Sequence, residues 1–282
     1  MKQMSFLLLS VIFSLVGICN LKAETIKGNG NIVTKEIDVR DFDEITLSVP
    51  ATVNFTQSDQ YSCSITIDEN LLPFIGIKVI VDDLSIRQVP SKDGKPLLSV
   101  SFGDKELSLP KYQYPTLQFT KFEINISAPR LEDVVVNGSG MFNFVNEFSA
   151  YKLNADVNGS GQIKSENVLK LGGLDVEIAG SGSVTFAQVS ADETEVSISG
   201  SGSATIEGSC VEADLKLMGS GYITMIGDVL SAKAKIAGSG DINLGNVSRL
   251  IRYDIAGSGN IYYSGDAEIR GLVAGSGIIQ KR

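Results

Sequence analysis

The stretch Val176-Glu177-Ile178-Ala179-Gly180-Ser181-Gly182-Ser183-Val184-Thr185-Phe186 decides the fold. Apolar and polar residues alternate on both sides of a Gly-Ser-Gly triplet, the period-two pattern of strands that bury one face. The pattern recurs. Triplets open at Gly138, Gly159, Gly180, Gly200, Gly219, Gly238, Gly257 and Gly275 and close at Gly140, Gly161, Gly182, Gly202, Gly221, Gly240, Gly259 and Gly277. Successive starts lie 21, 21, 20, 19, 19, 19 and 18 residues apart. A period of about 20 residues marks a stacked repeat rather than a catalytic motif copied along the chain.

Two residues ahead of the triplets stand Val136, Val157, Ile178, Ile198, Leu217, Ile236, Ile255 and Val273. Two residues past them stand Phe142, Ile163, Val184, Ala204, Ile223, Ile242, Ile261 and Ile279. The next positions read Asn143, Lys164, Thr185, Thr205, Thr224, Asn243, Tyr262 and Gln280 and should face solvent. Of these, Thr185, Thr205, Thr224, Asn243 and Tyr262 form the candidate binding surface. The glycines are structural corners, so each repeat is a strand, a corner and a second strand. Such a unit buries nothing alone, and stacking makes it an all-β, parallel β-helix-like solenoid. A propeller is excluded because its blades need about 40 residues. The falling repeat length predicts a taper or lost loop residues toward the C-terminus.

Residues 1–23 read as a signal peptide: Lys2 supplies the basic start, Phe6 to Ile18 the apolar run, and Ala23 the cleavage site. About 13 apolar residues are too few to span a bilayer, which takes about 20. Ile18 ahead of Cys19 is too bulky for a lipidation signal. Cleavage removes two lysines and no acids, leaving 22 basic and 33 acidic side chains, a net of −11. That balance speaks against nucleic acid and anionic membranes as partners. The mature chain is expected in the periplasm or on the cell surface. Cys63 and Cys210 read as free thiols, Cys63 facing a core within an alternating stretch.

The absence of histidine removes Ser-His and Cys-His nucleophile schemes. The residues following the triplets include one carboxylate, Asp241, so no calcium ladder repeats along the stack. No metal or cofactor is predicted. Asp156 with Glu177, and Lys216 with Lys235, occupy matching outward positions in adjacent repeats and read as a solvated face. Tyr253, Tyr262 and Tyr263 read as core or ladder packing, with a sugar-stacking patch as the alternative.

Residues 24–130 are strand-rich but irregular, and 131–282 form the regular array. Ile45, Leu47, Val53 and Phe55 alternate around Val49-Pro50-Ala51, a degenerate corner; Pro90 to Pro115 breaks the pattern as a long loop or local hairpin. The segments Lys27-Gly28-Asn29-Gly30-Asn31, Asp41-Phe42-Asp43-Glu44-Ile45, Val53-Asn54-Phe55-Thr56-Gln57 and Asp68-Glu69-Asn70-Leu71-Leu72-Pro73, with the Gly-Ser-Gly corners, carry a resemblance. Over essentially the whole mature chain the sequence resembles the putative auto-transporter adhesin, head GIN domain family of exported Bacteroidetes proteins. The resemblance implies a β-solenoid and an adhesin role, and brings no functional residues with it. Val49-Pro50-Ala51 departs from the Gly-Ser-Gly found there in relatives, so the first coil should bend differently.

The expectation is therefore an exported, non-enzymatic binding or structural protein, an adhesin with a glycan or an envelope protein as partner. The alternatives are a carbohydrate-active enzyme on a β-helix scaffold and a self-assembling envelope element; the homo-oligomer stays open.

Overall fold

The structure, a computed structural model, describes residues 25–90, 98–102, 105–109 and 114–282. The expected signal peptide and Cys19 lie outside the described residues. The chain divides into two units, one of residues 28–89 and 119–282, the other drawn from 1–27 and 90–118.

In the smaller unit Thr25–Lys27 pairs in parallel with Thr116–Gln118. The stretch from Pro90 to Pro115 holds a hairpin, Leu98–Phe102 antiparallel to Lys105–Leu109.

The larger unit is a β-solenoid of about seven turns. Each full turn has three paired stretches rather than the two expected from the alternation. In Gln162–Gly180 they are residues 162–165, 168–171 and 173–180, each in parallel register with the next turn. The stretch ahead of a triplet is here called side I, the one after it side II, and the remainder side III. Side III escaped the reading because its alternation is interrupted. Ser165 turns inward and is buried; its hydroxyl donates to the Asn167 carbonyl at 2.9 Å and accepts from the Asn167 N–H at 3.1 Å. This local loop of hydrogen bonds bends the chain out of side II. The shortening of the turns is located at this bend. Register slips fall between Ser165 and Val168, Phe186 and Val189, and Asn243 and Asn246.

At the triplets the strand ends on the first glycine and resumes after the second. Gly200 shows why glycine is needed: its φ is +129°, and a β-carbon would meet the Gly180 carbonyl oxygen at 2.4 Å. That oxygen accepts the Ser201 N–H at 2.9 Å, so neighbouring turns are joined through the bend itself. The middle serines face solvent, and Ser258 and Ser276 lie 3.4 Å apart, oxygen to oxygen. Val49-Pro50-Ala51 sits in the same place one turn earlier, since Glu44–Ser48 pairs with the strand before Gly138 and Thr52–Gln57 with the strand after Gly140.

The interior is aliphatic, with an aromatic plug near the N-terminal end. Phe55 lies 6.0 Å from Phe142 and 6.0 Å from Phe148, ring centre to ring centre, and all three are fully buried. Each buries enough apolar surface to stabilise the fold by about 2–3 kcal/mol. Beyond this plug one further parallel layer, Asp83–Gln88 on Glu44–Ser48 and Phe122–Ala128 on Thr52–Gln57, gives way to antiparallel pairing. Ile75–Ile80 runs antiparallel on Asp83–Gln88, and Ile32–Glu36 and Ser62–Asp68 add antiparallel strands over Phe122–Ala128.

Candidate binding surface

The predicted surface residues fall in one outward column on side II. Lys164, Thr185, Thr205, Thr224, Asn243, Tyr262 and Gln280 are successive register partners. Thr185 is exposed, and Thr205, Thr224, Asn243 and Tyr262 are half-buried between their neighbours. Toward the N-terminus the column continues as an amide ladder. Asn143 donates to Asn54 at 3.0 Å and Asn54 to Asn125 at 3.1 Å. At the other end the Arg282 guanidinium lies 3.6 Å from the Tyr262 ring centre and donates to Asn243 Oδ1 at 3.3 Å. One face of Tyr262 is thereby covered by a cation rather than open for stacking. Tyr263 is buried and Tyr253 half-buried.

Side I carries the charge. Asp156 stands opposite Glu177, and Lys216 opposite Lys235, as the spacing predicted. A neighbouring column went unnoticed in the sequence. Asp83, Glu44, Asp133, Asn154, Asp175, Glu195 and Asp214 follow one another turn by turn, and then Lys233, Arg252 and Arg270. From Asp133 onward these residues stand five positions ahead of each triplet, so alignment on the glycines was the available signal.

Crowding at the acidic end changes its chemistry. Partial burial, then Glu177, Asp175 and Asp133, push the Asp156 carboxyl up to about 6. Burial and the surrounding carboxylates Asp83, Asp133, Asp82 and Asp43 raise Glu44 as well. Where the column changes sign Lys233 pairs with Asp214 at 2.7 Å; within the acidic run Lys152 pairs with Asp175 at 3.7 Å, and Lys216 with Glu195. Asp241, the carboxylate following a triplet, accepts from the Asn260 N–H at 2.8 Å and the Asn260 amide at 2.9 Å.

A groove of about 430 Å³ runs along the bend between sides III and I. Its walls come from pairs two residues apart in four successive turns: Glu193 with Glu195, Glu212 with Asp214, Ser231 with Lys233, and Leu250 with Arg252, and Arg249 joins at the basic end. Other grooves lie beside Ser190, Cys210 and Asp228 on side III and beside Met218, Lys235 and Ala256 on side I. Neither Asp156 nor Glu177 lines any of these.

Cys63 and Cys210 are free thiols. Burial, with Glu36 adding to it, pushes the Cys63 thiol up to about 12; burial also raises Cys210.

The architecture recurs in solved structures. A crystal structure of a putative lipid binding protein from Parabacteroides distasonis is 28% identical over 92% of this chain and 100% of that one, with a TM-score of 0.79. A putative adhesin from Parabacteroides merdae is 24% identical with the same coverage and a TM-score of 0.77. A second Parabacteroides distasonis protein, also a putative adhesin, is 25% identical over 92% of this chain and 100% of that one, TM-score 0.74. Among curated proteins none matches the chain. The family model described as putative auto-transporter adhesin, head GIN domain, matches residues 41–168 and again 154–267. These two overlapping matches take in the capped end of the solenoid and nearly all of its regular turns, and the chain belongs to that family.

Proposed function

We propose that the protein is an exported, non-enzymatic binding protein that works as an adhesin at the cell surface or in the periplasm, with glycans as its first class of ligand. The observation that carries this reading is the outward column on side II. It repeats polar side chains at one strand spacing, about 4.8 Å, along a rigid stack. A scaffold that offers similar groups at a fixed interval suits a ligand that is itself repetitive. Family membership supports the adhesin role, and the named structural relatives are putative adhesins or a putative lipid binding protein rather than enzymes. The export signal at residues 1–23, cleaved near Ala23, belongs to the same proposal.

The test is a glycan-array screen with purified residues 24–282 at several protein concentrations, with lipid vesicles as a parallel arm. Saturable binding to a defined glycan class supports the reading. Binding to vesicles alone moves the function to lipid, as the name of the Parabacteroides distasonis relative suggests. A folded sample that binds neither, but whose mass grows with concentration, makes it a self-assembling envelope element. N-terminal sequencing of exported protein checks cleavage after Ala23.

A further inference from the structure

We propose that the groove between sides III and I binds a glycan chain that is neutral along its length and carries one anionic group, which docks at Arg249 and Arg252. The proposal rests on the adhesin reading and adds to the side II column a second site, at a place the sequence did not mark.

Four features carry it. The groove has the size of a ligand site, about 430 Å³ against a usual range of about 300–1,000 Å³. It also follows the stacking axis, with matching side chains at each strand spacing of about 4.8 Å. A pyranose lengthens its chain by close to that distance, so successive sugars meet successive turns. The charges within it are separated and partly spent. Lys233 is paired with Asp214, and Glu195 with Lys216. Arg249 and Arg252 at one end, and Glu193 and Glu212 at the other, have no ion-pair partner among the described residues. Finally, all four of these side chains are exposed or half-exposed and lie on the walls rather than in the core.

An unpaired arginine pair on a chain of net charge −9 is a local exception, and guanidinium groups grip carboxylate, sulfate and phosphate oxygens through paired hydrogen bonds. The carboxylates of Glu193 and Glu212 offer hydrogen-bond acceptors, which suits sugar hydroxyls and disfavours a second anion. A uniformly charged polymer or an anionic bilayer would press negative charge against that acidic end. A chain with a single anion avoids this. The concave section of the groove also disfavours a second copy of the same surface, since two hollows leave a void between them.

The experiment measures binding of the purified exported chain to matched probes: a neutral oligosaccharide, the same chain bearing one terminal carboxylate, sulfate or phosphate, and vesicles of anionic phospholipid. The variants are Arg249→Ala with Arg252→Ala, Glu193→Gln with Glu212→Gln, on side II Thr185→Ala with Thr205→Ala, and Ser201→Ala as the control. The singly charged chains should bind more tightly than the neutral one, and the comparison among them identifies the anion. The double arginine variant should lose about tenfold or more in affinity, a change of about 1.4 kcal/mol, while Ser201→Ala, at an exposed corner outside both the groove and the side II column, keeps the parent affinity. Glycan binding that survives the arginine changes, or that the side II variant abolishes, overturns the groove and leaves the adhesin reading standing. A folded protein that binds no glycan overturns both. Vesicle binding alone, lost in the arginine variant, replaces the glycan with a lipid headgroup and also overturns the proposal.

Discussion

Gly28 lies with its bare Cα against the carboxyl group of Asp68, so closely that a β-carbon there would stand 2.3 Å from Asp68 Cγ. Asp68 is fully buried. Its Oδ1 accepts from the Gly30 N–H at 2.9 Å and the Thr120 hydroxyl at 2.6 Å, and its Oδ2 from the Thr120 N–H at 2.8 Å. Asn29 and Asn31 complete the lock through Asn70 at 3.0 Å and Glu69 at 2.7 Å. Residues 28–31 and 68–70, which stand far apart in the sequence, are thus two halves of one joint. It ties the outermost antiparallel strands to the point where the chain rejoins the stack.

Replacing Gly28 with alanine should force this joint apart, and Asp68→Asn should place an amide donor against backbone donors. Each is expected to destabilise the larger unit by about 2–3 kcal/mol, the cost of a broken charged hydrogen-bond set. The pH dependence carries the same signature. Burial alone would raise the Asp68 carboxyl, but hydrogen bonds from Thr120, Gly30 and Lys121 outweigh it and hold the group at about 2. The unfolded value is about 3.9, so Asp68 contributes fully above that pH and loses its contribution as pH falls toward 2. Urea unfolding of parent and Asp68→Asn between pH 7 and pH 2 measures this. Parallel acid limbs would sink the assignment.

The triplets invite a sharper comparison. Gly200→Ala puts a β-carbon 2.4 Å from a carbonyl oxygen at a φ of +129°, two penalties that no side-chain rotation relieves. A loss of about 3 kcal/mol or more is expected. Ser201→Ala, at an exposed position one residue on, should change stability by less than about 0.5 kcal/mol. Equal losses at the two positions would mean that the serine, and not the glycine backbone, makes the bend.

This contrast also shows what the sequence made legible. The aliphatic columns two residues either side of each triplet are interior, because a strand's alternation is written directly into its residues: Ile178 is 1% exposed and Val184 is 0%. Side III was not legible, since register slips beside Ser165, Phe186 and Asn243 break the period that marks a strand. The groove escaped for a different reason. Glu193 and Glu195 carry no mark in the sequence that sets them apart, and only the bend between sides III and I turns them toward a shared hollow. The charged column was present in the text all along, but at a spacing of one whole turn rather than two residues.

Cys63 and Cys210 should behave as core residues in chemistry as well as in packing. Only a thiolate is alkylated readily, and burial holds Cys63 at about 12 with 1% of its surface exposed. Iodoacetamide at pH 8 should leave Cys63 unmodified in the native protein and label both cysteines in urea. Cys210, 7% exposed and lining a groove on side III, should react first as denaturant is added. Rapid native labelling of Cys63 would contradict the packing of the strand Ser62–Asp68.

Asp156 and Glu177 test whether the acidic end of side I is a strained charge ladder. Folding places them opposite each other in adjacent turns, and burial followed by Glu177, Asp175 and Asp133 raises Asp156 to about 6. This is the reverse of Asp68. The folded value lies above the unfolded value of about 3.9, so the folded state favours the protonated form. The resulting stabilisation is complete below about pH 4 and disappears as pH rises through 6, leaving an ionised group in crowded company. Asp156→Asn keeps the size and removes the charge. It should therefore stabilise the protein at pH 8 by about 1 kcal/mol, a figure kept small because water screens a half-exposed carboxylate. At pH 4, where Asp156 is largely protonated when folded, the same substitution should gain nothing. Urea midpoints at the two pH values give the comparison directly. A substitution that is neutral at both would show that solvent already relieves the repulsion, and that this column carries its charge at no cost to the fold.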